Sequence, residues 1–208
     1  SDEDYETLDS SVVWQVIEGD GSTTTLSETT ATLVLTAALV DPGESVNCVV
    51  SVTDSQGAVA SDEDSVTVGN TDPTVDTVTI SPETDVRTNT ELTCVATGSD
   101  PDGGTLSWSY VWTNSVGVEL ASTGDCSSLA TGVSCDLALS SLLVSPEQSV
   151  LCTATATDPA GGTATGTDSV DVENTLPMVT DVVLTPDPVF TNNALTCAAT
   201  ATDIDMDD

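Results

Sequence analysis

Apolar residues recur at every second position in several runs along this chain. The run Leu92-Thr93-Cys94-Val95-Ala96-Thr97 alternates, and so does Val150-Leu151-Cys152-Thr153-Ala154-Thr155-Ala156-Thr157. A period of two describes half-buried strands, so two strands each carry one cysteine. Between them Leu106, Trp108, Tyr110 and Trp112 occupy one face of a further strand, with Ser107, Ser109 and Val111 on the other. That bulk is expected to pack against a disulfide joining facing sheets. Strands are also expected at 11–17, 31–36, 45–53, 74–80, 90–97, 134–139, 149–157, 178–184 and 193–201, with long final strands reaching Val68 and Val172. Short corners at 37–40 and 141–144 end at Pro42 and Pro146, and Pro82 and Pro186 mark breaks before the first cysteine strands. Helical periodicity is nearly absent. The expected class is all-β.

The pattern repeats. Thr32 to Cys48 written above Asp136 to Cys152 matches at a constant offset of 104, with Leu33/Leu137, Leu35/Leu139, Val40/Val144, Pro42/Pro146, Val46/Val150 and Cys48/Cys152 coinciding. The same offset carries Asn70-Thr71 onto Asn174-Thr175, Pro73 onto Pro177 and Pro82 onto Pro186. After a one-residue shift, Leu92-Thr93-Cys94 meets Leu195-Thr196-Cys197. A period of that length is the size of a sandwich domain and larger than a solenoid unit. Residues 72–175 form the one complete repeat, 1–71 lack the first two strands, and 176–208 hold those two alone. The ends are thus cut mid-domain. Either the chain is a window on a longer tandem array, or the last strands of one unit complete the first part of the next. Folding of 176–208 back onto 1–71 within one chain is the third arrangement.

Charge narrows the range of partners. The 208 residues carry 35 Asp and Glu against one basic residue, Arg87, with no histidine. Nucleic acid, anionic membrane surfaces and phosphate ligands are repelled by such a field. A solvated acidic surface is one reading, and cation binding between crowded carboxylates is the other. No apolar run approaches the roughly 18 residues that a membrane span needs.

Six cysteines without histidine or a C-x-x-C pair argue against zinc and for disulfides in an oxidising compartment. An extracellular location is therefore inferred from the cysteines, with any targeting signal removed or lying outside this stretch. Strand logic pairs Cys94 with Cys152, and Cys126 with Cys135 closes a short loop. Cys48 and Cys197 remain, and by the offset they are the two halves of one sandwich disulfide lying in different incomplete domains. Cys197 of one unit is expected to bond Cys48 of the next. The alternative is two unpaired thiols.

These motifs resemble a known family. Trp108 follows Cys94 by 14 residues, and the second cysteine comes much later in an alternating strand, which resembles the immunoglobulin-like sandwich. The phrase Leu92 to Gly104, with Asp158-Pro159-Ala160-Gly161-Gly162 and the linkers Gly69 to Pro73 and Glu173 to Pro177, resembles the Ig-like and PKD-like tandem β-sandwich repeats of large bacterial surface and secreted proteins. Val46 and Val150 stand where antibody domains carry a tyrosine before the second cysteine. The resemblance implies stalks, adhesins or filament subunits, and few enzymes.

Candidate metal chemistry lies in two places. Asp100 and Asp102 follow one cysteine strand, and Asp203, Asp205, Asp207 and Asp208 follow the other, with Asp2, Glu3 and Asp4 continuing the run across the seam. Alternating Asp resembles the first half of a calcium loop, without the glycine and distal glutamate of an EF-hand. The second place is the junction Asp171, Glu173 and Asn174, similar to a cadherin linker. Catalysis has little to stand on, because carboxylates in Gly- and Pro-rich loops lack the apolar setting that raises a pKa. Two functions follow. The first is a structural segment of a head-to-tail array of the chain with itself, stiffened by disulfides and calcium. The second is an adhesin stalk binding glycan or another surface ligand, for which Tyr5 and Phe190 are the spare rings and Trp14, Trp108, Tyr110 and Trp112 are assigned to the core.

Overall fold

The computed structural model describes residues 7–206. Among them are fourteen strands and no helix: β1 (Asp9–Ile17), β2 (Thr23–Thr25), β3 (Ser45–Thr53), β4 (Val59–Thr67), β5 (Thr74–Ser81), β6 (Glu91–Ser99), β7 (Ser107–Asn114), β8 (Glu119–Leu120), β9 (Leu129–Ala130), β10 (Cys135–Ala138), β11 (Ser149–Thr157), β12 (Thr163–Asp171), β13 (Met178–Thr185) and β14 (Thr196–Thr202). Every pairing is antiparallel, as expected of strands joined by short turns. The chain divides into two compact units. Of the described residues, one holds 7–73 with the loops 100–104 and 158–162, and the other holds 74–99, 105–157 and 163–206.

The larger unit contains two facing sheets, ordered β10-β6-β5 and β12-β11-β7-β8, with β9 added to β7. Alternation decides what lies between them. Leu92, Cys94 and Ala96 of β6, Ile80 of β5 and Leu137 of β10 share one core with Trp108, Tyr110 and Trp112 of β7 and Val150, Cys152 and Ala154 of β11. The two tryptophans are fully enclosed. Each removes about 150–250 Å² from water, a gross contribution of about 4–6 kcal/mol. A disulfide between Cys94 and Cys152 links the sheets, with Cα atoms 6.6 Å apart. Cys135 lies directly opposite Cys94 on the β6–β10 ladder and is bonded to Cys126. The Trp112 indole N–H donates to Cys135 Sγ at 3.2 Å, so ring and half-cystine fix each other. Tyr110 accepts the Ala96 N–H and donates to the Val133 carbonyl, and burial pushes its phenol pKa up. Gly98 is required beside this core. A Cβ there would lie 2.2 Å from the Thr74 carbonyl oxygen and 3.1 Å from the Trp108 ring.

The same unit ends in the hairpin β13–β14. Its register shifts between Val179 and Asp181, as that of β5–β6 shifts between Val75 and Thr77. Its residues are all exposed.

The smaller unit contains one sheet, β2-β1-β3-β4. Trp14 opposes Cys48 there, as Trp112 opposes Cys152 in the larger unit. Val16, Val40 and Val46 form a small core, with Trp14, Leu26, Leu33, Leu39 and Val68 half-buried around it. The corners expected near 37–40 and 141–144 are single turns, closed by Val40 N–H on the Thr36 carbonyl and Val144 N–H on that of Ser140.

One expected strand is absent. Residues 31–36 carry no ladder, whereas their counterparts form β10. The alternation is the same in both places, but β10 exists because β6 offers it a row of backbone partners. Without such a partner, extended backbone keeps its hydrogen bonds to solvent. The cysteine strand expected at 193–201 is shorter at its start and runs over Thr196–Thr202.

Candidate functional site

Two features stand apart from the cores: a closure repeated at both acidic loops, and sheet faces left uncovered. The acidic loops come first. After β6 the chain turns at Asp100, whose Oδ1 accepts the Asp102 N–H at 2.9 Å. This is an Asx-type turn, a local geometry that short acidic side chains favour. Asp102 then accepts the Thr71 N–H and, at 3.3 Å, the Thr71 hydroxyl. After β14 the same arrangement recurs. Asp203 Oδ1 accepts the Asp205 N–H at 2.9 Å, and Asp205 accepts the N–H and the hydroxyl of Thr175. Asp205 also accepts the Thr88 hydroxyl at 2.6 Å. Asp205 is 5% exposed and Thr88 is 1% exposed. Burial alone would raise the Asp205 pKa. The Thr88 and Thr175 hydrogen bonds, with the nearby Arg87 charge, outweigh it and hold the carboxyl below its ordinary value.

The junction residues are also engaged. Glu173 forms an ion pair with Arg87 at 3.8 Å, and the Arg87 guanidinium donates to the Asn174 carbonyl at 2.5 Å. Asp171 accepts the Ser149 hydroxyl at 2.6 Å. The one basic side chain of the protein thus lies where a linker cation was expected. Asn70, the counterpart of Asn174, donates its amide to Asp158 at 2.9 Å. That bond, with the Gly162 N–H, lowers the Asp158 pKa against the effect of burial.

These contacts bear on calcium. The carboxylates of Asp102 and Asp205 are spoken for by protein donors, and Asp100 and Asp203 each brace the turn beneath. A calcium ion takes six to eight oxygen ligands. Among the described residues no group of three or more His, Cys, Asp or Glu is gathered around one point. Asp2, Glu3, Asp4, Asp207 and Asp208 lie outside the described residues.

The uncovered faces are the second feature. On β5 and β6 the inward residues Ile80 and Leu92 are 1% and 0% exposed, whereas Leu184 and Leu195 at the matching hairpin positions are 54% and 52% exposed. Val179 and Val182 are likewise bare, and Cys197 is an exposed free thiol. On the smaller unit's sheet, Cys48 is a free, partly exposed thiol flanked by the exposed Val50 and Val66. Phe190 is exposed at the hairpin loop, and Trp14 is half-buried with its indole N–H on the Thr30 carbonyl.

Sequence reasoning found the aspartates and cysteines but missed Arg87, Thr88, Thr71 and Thr175 as their partners. The recurrence of Asn-Thr and Asp-x-Asp at nearly one offset was the available signal.

No family model matches the chain, and no curated protein matches it significantly. Among solved structures it is similar to one described as "Crystal structure of tetra-tandem repeat in extending region of large adhesion protein", at 17% identity and a TM-score of 0.42. That alignment covers 96% of this chain and 57% of the other.

Proposed function

We propose that this chain is a structural, non-enzymatic segment of an extracellular head-to-tail array of immunoglobulin-like β-sandwich repeats. In that array the hairpin β13–β14 of one unit is completed by a sheet of the β1-β3-β4 kind in the next. One observation carries the reading. The hairpin has the register shift and the apolar positions of β5–β6, yet the residues that β5–β6 bury are in solvent. The pairing of β3 with β4 runs Val46↔Val66 and Cys48↔Asp64, matching Val150↔Val170 and Cys152↔Asp168 in β11 and β12. Residues 31–36, left without a ladder, would gain in β14 the neighbour that β10 has in β6. Two disulfides support an oxidising, extracellular setting.

Cys48 and Cys197 close the joint in this reading. Their two thiols lose two protons and two electrons to a disulfide oxidant such as oxidised glutathione, which leaves as two thiols. Incubation with that oxidant, followed by non-reducing peptide mapping and negative-stain microscopy, is expected to give a linked Cys48–Cys197 peptide and rods. Isolated globules with both thiols free would overturn the proposal. The bare Phe190 ring, 71% exposed, favours the second reading of a surface-binding stalk. A glycan array would test it, with Phe190→Ala abolishing any binding found.

A further inference from the structure

The intact sandwich supplies a register in which the two uncovered faces can be compared residue by residue. β12 turns Ala164, Gly166, Asp168 and Val170 toward the core side, and β4 turns Ala60, Asp62, Asp64 and Val66 to the matching side, since Gly166 opposes Ala154 as Asp62 opposes Val50. Asp168 Oδ2 accepts the Ile80 N–H at 2.8 Å. Asp64 has the matching position, and Leu184 carries the matching N–H. At the far end of the sheet, Gly98 makes room for Trp108, whose ring atoms would stand 3.1 and 3.2 Å from a Cβ at 98. The hairpin has Ala201 there, because Val179 opposes Ala201 as Val75 opposes Gly98. β1 has Ser10 where β7 has Trp108: Trp14 opposes Cys48 as Trp112 opposes Cys152, and each strand counts back four residues. The larger residue on the hairpin therefore meets a smaller one on the sheet.

One position disagrees. A Cβ at Gly166 would lie 2.7 Å from Val75 Cγ1 and 2.9 Å from Val78 Cγ2. The hairpin keeps valines there, Val179 and Val182, but β4 puts Asp62 against them. A side chain with a carboxylate would press on two methyl groups that offer no hydrogen bond.

We propose that the surface completing the hairpin is the β1-β3-β4 sheet of a second copy of this chain, docked in the register of the intact sandwich. Ser10 against Ala201 sets its fit, and Asp62 against Val179 and Val182 holds its affinity down. The inference rests on the array reading and names its partner and its tuning residue. Covalent closure through Cys48 and Cys197 follows docking and is not needed for it.

The test is sedimentation of the full chain under reducing conditions at about 150 mM salt, where screening limits repulsion between acidic copies to about 8 Å. Wild type is expected to associate weakly. Asp62→Gly, copying Gly166, should tighten association by about tenfold or more, and Ser10→Trp should weaken it by a similar factor, each tenfold step being about 1.4 kcal/mol. Adding Ala201→Gly to Ser10→Trp copies the Trp108–Gly98 pair and should restore association. Ser10, Asp62 and Ala201 are exposed in the single chain, so the monomer fold is expected to tolerate these changes, with circular dichroism as the check. Association that ignores all of these substitutions overturns the register while leaving the array reading intact. Failure of every variant to associate at any concentration overturns both.

Discussion

Removal of the Asp205 carboxylate tests whether the acidic loops are closed by protein donors. In Asp205→Ala the Thr175 N–H, the Thr175 hydroxyl and the buried Thr88 hydroxyl lose their common acceptor. Hydrogen bonds to a charged group contribute roughly 1.5–3 kcal/mol each. Because these three share two oxygens, the combined loss is taken as about 2–4 kcal/mol. Native-state hydrogen exchange at the Thr175 amide reads that loss locally, as a protection factor lower by about 30- to 700-fold. Asp205→Asn keeps one acceptor oxygen and should fall between wild type and Ala. The acid dependence has a definite sign. Hydrogen bonds hold the folded Asp205 pKa below its ordinary value, so this stabilisation is fully present above about pH 4 and is lost as pH falls through the lowered pKa. Asp205→Asn should lack that acid step. Millimolar calcium should leave Thr175 exchange unchanged. Protection unchanged in Asp205→Ala would refute the closure, and protection that rises with calcium would make Asp203 and Asp205 metal ligands.

Other outcomes follow from the same contacts. Loss of Cys94–Cys152, which spans 58 residues, should cost the larger unit about 4 kcal/mol in urea unfolding, and loss of Cys126–Cys135, which spans nine, about 2.5 kcal/mol. The reverse order would mean that strain or residual structure outweighs chain entropy. Arg87→Gln should lower stability by no more than about 1 kcal/mol, and the difference should shrink in high salt, because the Arg87–Glu173 pair, 3.8 Å apart, is partly exposed. Gly98→Ala should cost about 1–3 kcal/mol or more in thermal melting, since the new methyl meets backbone at Thr74 and the Trp108 ring. A melting temperature within error of wild type would show that β5 and β6 separate freely at that point.

Much of the fold was legible along the chain because strand faces follow a local rule. Alternation at Leu92 to Thr97 and Leu106 to Trp112 placed cysteines and aromatic rings on one side, and the core assembles from those residues. The offset between Thr32 to Cys48 and Asp136 to Cys152 marked equivalent positions for the same reason, since identical periodicity needs no knowledge of neighbours. Pairing partners were another matter. Residues 31–36 carry the pattern of β10 and form no strand, because a ladder requires a second backbone that local pattern does not supply.

The acidic loops show the same division. Composition marked Asp100, Asp102, Asp203 and Asp205 as a problem of crowded charge, for which a cation is the simplest local answer. The tertiary structure sets the Thr71 N–H, from 31 positions before Asp102, and the Thr88 hydroxyl, from 117 positions before Asp205, on these carboxylates. Local sequence carries no record of such donors. Sequence alone thus determined which residues share a side of each strand and which segments of the chain repeat, because side-chain direction in a strand is set by the residue's own backbone. Only the tertiary structure decided which donors hydrogen-bond which carboxylates and which apolar faces stay bare, because both depend on groups brought close by folding.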